Sequence, residues 1–373
     1  MVHVKEFLKV LSKKKLRVSL IIRGQKTPNY SKISILNLPD WKFRMSFSSC
    51  ILFLFTHILS FSMCVIKILT DRPSFVYQRD NGINFGVVAA KIFHVPVILE
   101  LNGDILLDNP SFNETLIRWV IEKAIRFTYS KADLVIMPSH GQISIFKSYK
   151  CRPKNFFVVP NGVDPVKFHP IETNLCRKAV GLDESPLFLG FIGSLSPEQG
   201  VENAIIGFSK FLKEEQAQDV KFIIVGEGPL MKKLKELTSN LQLDDFVLFL
   251  GCVPHENVPC IINACDVCIA PFTAWRNKKI GVSPLKLYEY LSCGKPVIAS
   301  AIPGTEIIKE LDAGILVEPD NPEALKEAYK EAIKKLPYWK KKAHAIHKEI
   351  ATKHSWDNRV ETILKIIHQI SHK

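Results

Sequence analysis

GVSPLKLYEYLSCGKPVIAS, residues 281–300, holds a helix and the strand that follows it. Ser283 is a good helix cap and Pro284 suits the first helical position. Gly294, followed at once by Lys295 and Pro296, stops the helix before the apolar run VIAS. A short, sharply delimited helix leading into a buried strand is one half of a strand-helix-strand crossover, and crossovers of this kind build parallel sheets.

The same rhythm extends in both directions. Downstream lies GILVEP (314–319), and upstream lie VCIAPF (267–272), FVLFLG (246–251), VKFIIVG (220–226) and LFLGFIG (187–193). An earlier series runs through FFVVP (156–160), DLVIMPS (133–139), VPVILEL (95–101), FVYQ (75–78) and VSLII (18–22). Helical patterns separate these β-branched or aromatic runs, so the chain reads as two parallel α/β sheets in tandem, covered on both faces. Its 373 residues exceed what one hydrophobic core usually serves. The turn signal Pro160-Asn161-Gly162-Val163-Asp164 marks the join. The expected division is residues 1–162, residues 163–353, and a closing helix in 354–373. In that helix Val360, Ile363, Leu364 and Ile367 form an apolar stripe that needs a docking surface.

Forty-seven per cent apolar and 23% charged residues exclude a disordered or collagen-like chain. The net charge of +13 is uneven: residues 1–150 carry 21 basic and 10 acidic side chains, leaving only +2 for the rest. Such a field favours anionic partners: phosphorylated substrates, lipid headgroups or nucleic acid. Nine cysteines without an even framework of short spacings suit a reducing cytosol better than a disulfide scaffold. Cys265 and Cys268 make a C-x-x-C, but they sit in an apolar strand and its lead-in, with no second pair at zinc-site spacing. The N-terminus, interrupted by lysines every few residues, is not a signal peptide. The uncharged run from Met45 to Ile66 is long enough to span a bilayer. Its serines, His57 and helical apolar spacing favour a core or surface-docking helix instead.

In open parallel sheets, ligands bind beyond the carboxyl ends of the strands, where helix N-termini present unpaired N–H groups. Three junctions qualify. The loop Gly193 to Gly200 offers two glycines and the hydroxyls of Ser194 and Ser196 to a phosphate, and equally reads as a plain turn. Gly226 opens a second glycine-containing loop, VGEGP (225–229), with the same two readings. At the third, Lys286 lies in the first turn of the helix, where a cation is misplaced unless something negative meets it. A phosphate would resolve that conflict, and an i,i+3 surface pair of Lys286 with Glu289 is the competing explanation.

PNGVD (160–164), FIGSLSPEQGVENAI (191–205), VGEGP (225–229), SPLKLYEYLSCGKPVIAS (283–300) and GILVEPDNPEALKEAYKEAI (314–333) occur in this order. Together they resemble a family-4 retaining glycosyltransferase of the GT-B fold, in which two Rossmann-like domains bind acceptor and nucleotide-sugar donor. The resemblance implies donor-binding roles for Gly193, Ser194, Gln199, Gly200, Gly226 and the loop Gly281, Val282, Ser283, Pro284 and Leu285. It makes Glu289 the holder of the ribose hydroxyls and Lys286 a cation at the diphosphate. It implies no metal, a UDP- or GDP-sugar donor, and a same-face substitution without a protein nucleophile. It also implies that the closing helix returns to the first domain.

Several positions depart from the pattern. The first Glu of the family's paired-Glu signature falls on Gly281, and its usual phosphate cations fall on Ser194, Ser196 and Gln199. Arg276, Lys278 and Lys279 are candidates to replace them. Val4 to Lys15 resembles the helix that follows the first strand in that family, so the first strand of the first domain is expected to be missing from this sequence. Where members carry a functional His stands Asn102, with Arg79, Asp80, Glu100 and Asp104 nearby on the acceptor side, as ordinary loop polarity would also place them. The expected activity is glycosyl transfer to a lipid-linked, polysaccharide or other glycan acceptor, in the cytoplasm and peripheral on the inner face of an anionic membrane. The charge lacks interleaved aromatic motifs, so nucleic acid is not an expected partner. A catalytically silent homologue that binds nucleotide-sugar or a partner subunit is the alternative.

Overall fold

The computed structural model describes residues 2–14, 16–23, 33–38, 47–108 and 115–371, which fall into two compact units. The first comprises residues 1–138, 142–159 and 360–373; the second comprises 139–141 and 160–359.

The first unit contains β1 (Val18–Arg23), β2 (Ile33–Leu38), β3 (Val76–Arg79), β4 (Val97–Glu100), β5 (Leu134–Met137) and β6 (Phe156–Val158). β3, β4, β5 and β6 form a four-stranded parallel sheet in that order. β4 and β5 are buried along their whole length, as the apolar runs VIL and LVIM require, and β4 carries Glu100 into the interior at its end. β1 pairs in parallel with β2 in a separate two-stranded sheet. β2, the segment ISILNL, is a strand that the sequence reading passed over. The first helix runs from Val2 to Lys13. Of the uncharged run, residues 45 and 46 lie outside the described residues, and the remainder lies in one helix, Phe47–Asp71. This helix packs Phe61 edge-on against Phe85 at 5.8 Å and buries Ile68. Among the described residues, no helix is long and apolar enough to cross a membrane.

The second unit is built on β7 (Leu187–Ile192), β8 (Val220–Val225), β9 (Val247–Gly251), β10 (Val267–Ala270), β11 (Val297–Ser300) and β12 (Gly314–Val317). They form a parallel sheet in the order β12-β11-β10-β7-β8-β9. Helices cover both faces; on one of them Phe208 and Phe211 each meet Tyr329 edge-to-face and Trp339 is fully buried. Cys265 and Cys268 are buried core residues, Cys265 donating to the Ile261 carbonyl at 3.3 Å. A buried ion pair, Arg177 with Asp266 at 2.5 Å, ties the helix Thr173–Ala179 to the lead-in of β10.

The chain walks outward from β7 to β9 and then returns to β7's other side with β10. The sheet therefore changes direction between β7 and β10, the kind of switch point beside which doubly wound sheets bind ligands.

The last helix, Trp356–Ser371, belongs to the first unit from Val360 onward. Ile363 and Ile366 join Ile98, Leu134, Ile136 and Val159 in one buried cluster, with Ile367 against it. The apolar stripe of that helix thus finds its surface on β4 and β5.

Candidate functional site

At the switch point, three loops are stitched together by their backbones. Leaving β7, Gly193 N–H donates to the Val225 carbonyl at 2.9 Å, and Leu195 N–H to that of Glu227 at 2.9 Å. The approach is so close that a side chain at Gly226 would fall on the Gly193 carbonyl, and one at Gly200 on the carbonyl of Pro271 beyond β10. Gly200 also has φ +67°, which an L side chain disfavours. The two glycines thus serve loop-to-loop packing at the switch point.

The helix Leu285–Ser292 points its first turn at this junction. Tyr290 fixes it: its hydroxyl accepts from Ile192 N–H at 2.8 Å and donates to the Ile192 carbonyl at 3.0 Å, at the end of β7. One turn earlier on the same face, Lys286 Nζ donates to Gln199 Oε1 at 2.7 Å and sits 3.9 Å from the Phe191 ring centroid. It occupies the space that a side chain at Gly193 would fill. Lys286 is therefore not the exposed partner of Glu289; it reaches inward to Gln199, which stands where a cation was expected. Desolvation of the amine brings its pKa down to about 7, opposed by the charges of Glu289 and Glu198.

Glu289, 13% exposed, faces His255 instead, with Nε2 to Oε1 at 3.5 Å. The other ring nitrogen contacts the Lys167 ammonium, and the ring packs edge-on against Phe168 at 5.7 Å. An ammonium can only donate, so Nδ1 accepts and Nε2 carries the proton toward the carboxylate. His255 lies at the loop beyond β9, and its position after a strand end was the signal that would have found it.

Ser283 does not cap this helix. Pro284 occupies the cap position with φ −74° and ψ 134°, and no side chain caps the helix. The Ser283 hydroxyl instead accepts from Asn161 N–H at 2.8 Å, and the Asn161 amide donates to the Ser283 carbonyl at 2.6 Å. The PNGVD turn is thereby bound to the loop before the helix. Two loop amides are also committed internally: Gly281 N–H donates to the Asn277 carbonyl and Val282 N–H to that of Pro303, both at 2.8 Å. Gly281 and Val282, both expected in the donor loop, thus spend their amides within the fold. Of the candidate cations, Lys278 and Lys279 are exposed, and Arg276 donates to Asn277 Oδ1 at 3.2 Å. They lie on the helix Ala274–Ile280, held by the Asn277 amide, which donates to the Glu198 and Thr273 carbonyls at 3.0 Å.

In the first unit, Glu100 is buried and pairs with His3 Nε2 at 3.1 Å, while His3 Nδ1 lies 3.4 Å from Arg79. His3 comes from the first helix, and the sequence reading did not single it out. Asp80 accepts from Tyr129 at 2.7 Å, Asn84 at 2.8 Å and Gly82 N–H at 3.1 Å, and its pKa is raised by burial. Asp104 accepts from the Leu106 and Leu107 amides and from Tyr149. Asp80 and Asp104 are thus tied into local networks, whereas Asn102 is exposed, its amide 3.5 Å from the Glu100 carbonyl.

This arrangement, a desolvated lysine and a carboxylate on one short helix aimed at glycine loops on a doubly wound sheet, suits an anionic ligand with a hydroxyl-bearing group. Comparison with known proteins agrees. Residues 2–167 match Glycosyltransferase Family 4, and residues 173–353 match Glycosyl transferases group 1. The chain is 28% identical over 189 residues to alpha-monoglucosyldiacylglycerol synthase of Streptococcus pneumoniae, covering 49% of this chain and 41% of that one. It is 26% identical over 248 residues to the UDP-Gal:alpha-D-GlcNAc-diphosphoundecaprenol alpha-1,3-galactosyltransferase of Escherichia coli, covering 65% and 61%. The chain spans about half the length of the curated relatives it matches. Anabaena HepE, solved in complex with UDP and glucose, superposes with a TM-score of 0.73 at 18% identity over 98% of this chain and 95% of that one. With both halves matched and the fold shared, the chain belongs to the family-4-type GT-B glycosyltransferases.

Proposed function

We propose that this glycosyltransferase moves a sugar, with retention of its anomeric configuration, from a UDP- or GDP-sugar to a hydroxyl of a lipid-linked or polysaccharide acceptor. The observation that carries this reading is the placement of Lys286 and Glu289 on one helix at the β7/β10 switch point. Glu289, oriented by His255, accepts hydrogen bonds from the ribose diol. The diphosphate lies against the first turn of the helix, where the Lys286 ammonium and the dipole end neutralise the charge that grows as the sugar–oxygen bond breaks. The acceptor oxygen forms the new bond on the face the diphosphate leaves, and its proton passes to a phosphate oxygen. In this reading the protein supplies no nucleophile, and the charge is met without a metal ion. Support for the donor class comes from HepE, crystallised with UDP and glucose, and for the acceptor class from relatives named for diacylglycerol and diphosphoundecaprenol substrates. A location at the inner face of a membrane belongs to the same proposal.

Calorimetry with UDP, GDP and their sugars, followed by product analysis by NMR, tests the reading. The expected result is binding of one nucleotide class, loss of most of that affinity in Glu289→Ala, and an axial or equatorial product linkage matching the donor. Absence of nucleotide binding by the native chain, or unchanged affinity in Glu289→Ala, would overturn it.

A further inference from the structure

At the carboxyl ends of β3 and β4, a cation is kept apart from the carboxylate beside it. Arg79 and Glu100 are register partners across the two strands, so their side chains leave the same face of the sheet. A guanidinium and a carboxylate so placed would ordinarily pair. Here His3 stands between them, with Nε2 3.1 Å from Glu100 Oε1 and Nδ1 3.4 Å from Arg79 Nη1. A guanidinium can only donate, so Nδ1 accepts and Nε2 carries the proton that faces the carboxylate. The wedge is itself held in place. His3 stacks on Phe7, one turn along the first helix, with ring centroids 6.3 Å apart, and Phe7 stacks on Tyr77 at 5.2 Å. Tyr77 precedes Arg79 by two residues and so shares its face of β3.

His3 is 6% exposed and Glu100 2%, so the carboxylate meets its partners inside the fold, whereas Arg79 is exposed. Among the described residues, no carboxylate pairs with Arg79. The nearby acids are not available to it either: Asp80 is committed to Tyr129 and Asn84, and Asp104 to Tyr149 and two backbone amides. What these strand ends offer a ligand is the Arg79 guanidinium and, just beyond β4, the exposed Asn102 amide. A neutral polyol needs acceptors for its hydroxyl protons. A site of N–H donors whose carboxylates are turned inward suits an oxyanion, which a guanidinium receives bidentately.

We propose that Arg79 receives an oxyanion carried by the acceptor, a phosphate ester or a carboxylate, and that His3 is the positioning residue that keeps Arg79 from collapsing onto Glu100. That the oxyanion belongs to the acceptor rests on the glycosyl-transfer reading above, whereas the site itself rests on the first unit alone. The acceptor class narrows accordingly, from any glycan to an acidic one, and the first helix takes part in selecting it.

Glucose, glucose 6-phosphate and glucuronic acid serve as probes, titrated by calorimetry into the full chain with and without saturating UDP or GDP. The native chain is expected to bind one charged probe at least about tenfold more tightly than glucose, the phosphate marking an ester and the uronic acid a carboxylate. Arg79→Gln should remove that preference while nucleotide affinity stays native. In His3→Leu the guanidinium can reach Glu100, so the preference should fall about tenfold. In His3→Leu/Glu100→Gln no charge is left to capture Arg79, and the preference should return, a recovery that a merely structural histidine does not give. Circular dichroism and melting curves establish that each variant folds. Equal affinity of the native chain for all three probes, an unchanged preference in Arg79→Gln, or no recovery in the folded double variant would each overturn the proposal. Absence of nucleotide binding alongside a preference that Arg79→Gln removes would overturn the donor reading and support this site.

Discussion

Lys286 is the cation on which the diphosphate reading turns, because Ser194, Ser196 and Gln199 hold no charge. Its pKa of about 7 makes that cation conditional. The unfolded chain keeps a lysine protonated to about pH 10.4, so between pH 7 and 10 the unfolded state holds more protons and this residue's contribution makes stability rise with pH. Donor binding works in the opposite direction. A diphosphate favours the ammonium, so binding above pH 7 takes up a proton, and affinity should weaken by up to about tenfold per pH unit between 7 and 9. Calorimetry in buffers of different ionisation enthalpy measures the uptake. In Lys286→Met the uptake should vanish and affinity at pH 6.5 should fall about tenfold to a hundredfold, as expected for a lost charge-assisted hydrogen bond. A native profile flat with pH would place the diphosphate elsewhere. That Lys286 and Glu289 share one short helix was legible because a cation at a helix start and a carboxylate one turn on are local facts. Their partners Gln199 and His255 lie 87 and 34 residues away and were not.

Among the elements, the loops that leave β7, β8 and β10 act as one unit because their backbones touch. Gly200 shows this most directly, since its positive φ and the Pro271 carbonyl both exclude a side chain. Gly200→Ala should lower the stability of the second unit by at least about 2 kcal/mol through backbone strain and the forced separation of two loops. It should also weaken nucleotide binding, both effects being read by urea unfolding with and without ligand. Retention of native stability would mean that the loops separate freely. The sequence pattern gave a turn at Gly200 but not its neighbour. Among the described residues it located eleven of the twelve strands and missed Ile33–Leu38, where Ser34 and Asn37 break the β-branched run. Ser283 was misplaced for a related reason: capping preference is a local statistic, and Asn161, 122 residues away, takes the hydroxyl instead.

For the whole molecule, the closing helix matters because the chain ends by completing the core of the unit in which it began. Ile363 is 1% exposed against β4 and β5 residues, so Ile363→Ala should cost about 2–4 kcal/mol, read as a lowered unfolding midpoint. Exposed Lys365→Ala is the control and should change little. An Ile363→Ala midpoint equal to native would mean that the first unit does not depend on its last helix. The amino-acid sequence by itself determined the two parallel α/β sheets, the helix carrying Lys286 and Glu289, and the need of the last helix for a docking surface. These follow from periodicity and from glycine and proline at element ends, which act over a few residues. Tertiary structure decided which strand ends adjoin, that Lys286 turns to Gln199 rather than to Glu289, and that His255 orients Glu289. Such choices depend on strand order and on competition among distant polar partners for the same donor or acceptor, and no local pattern records them.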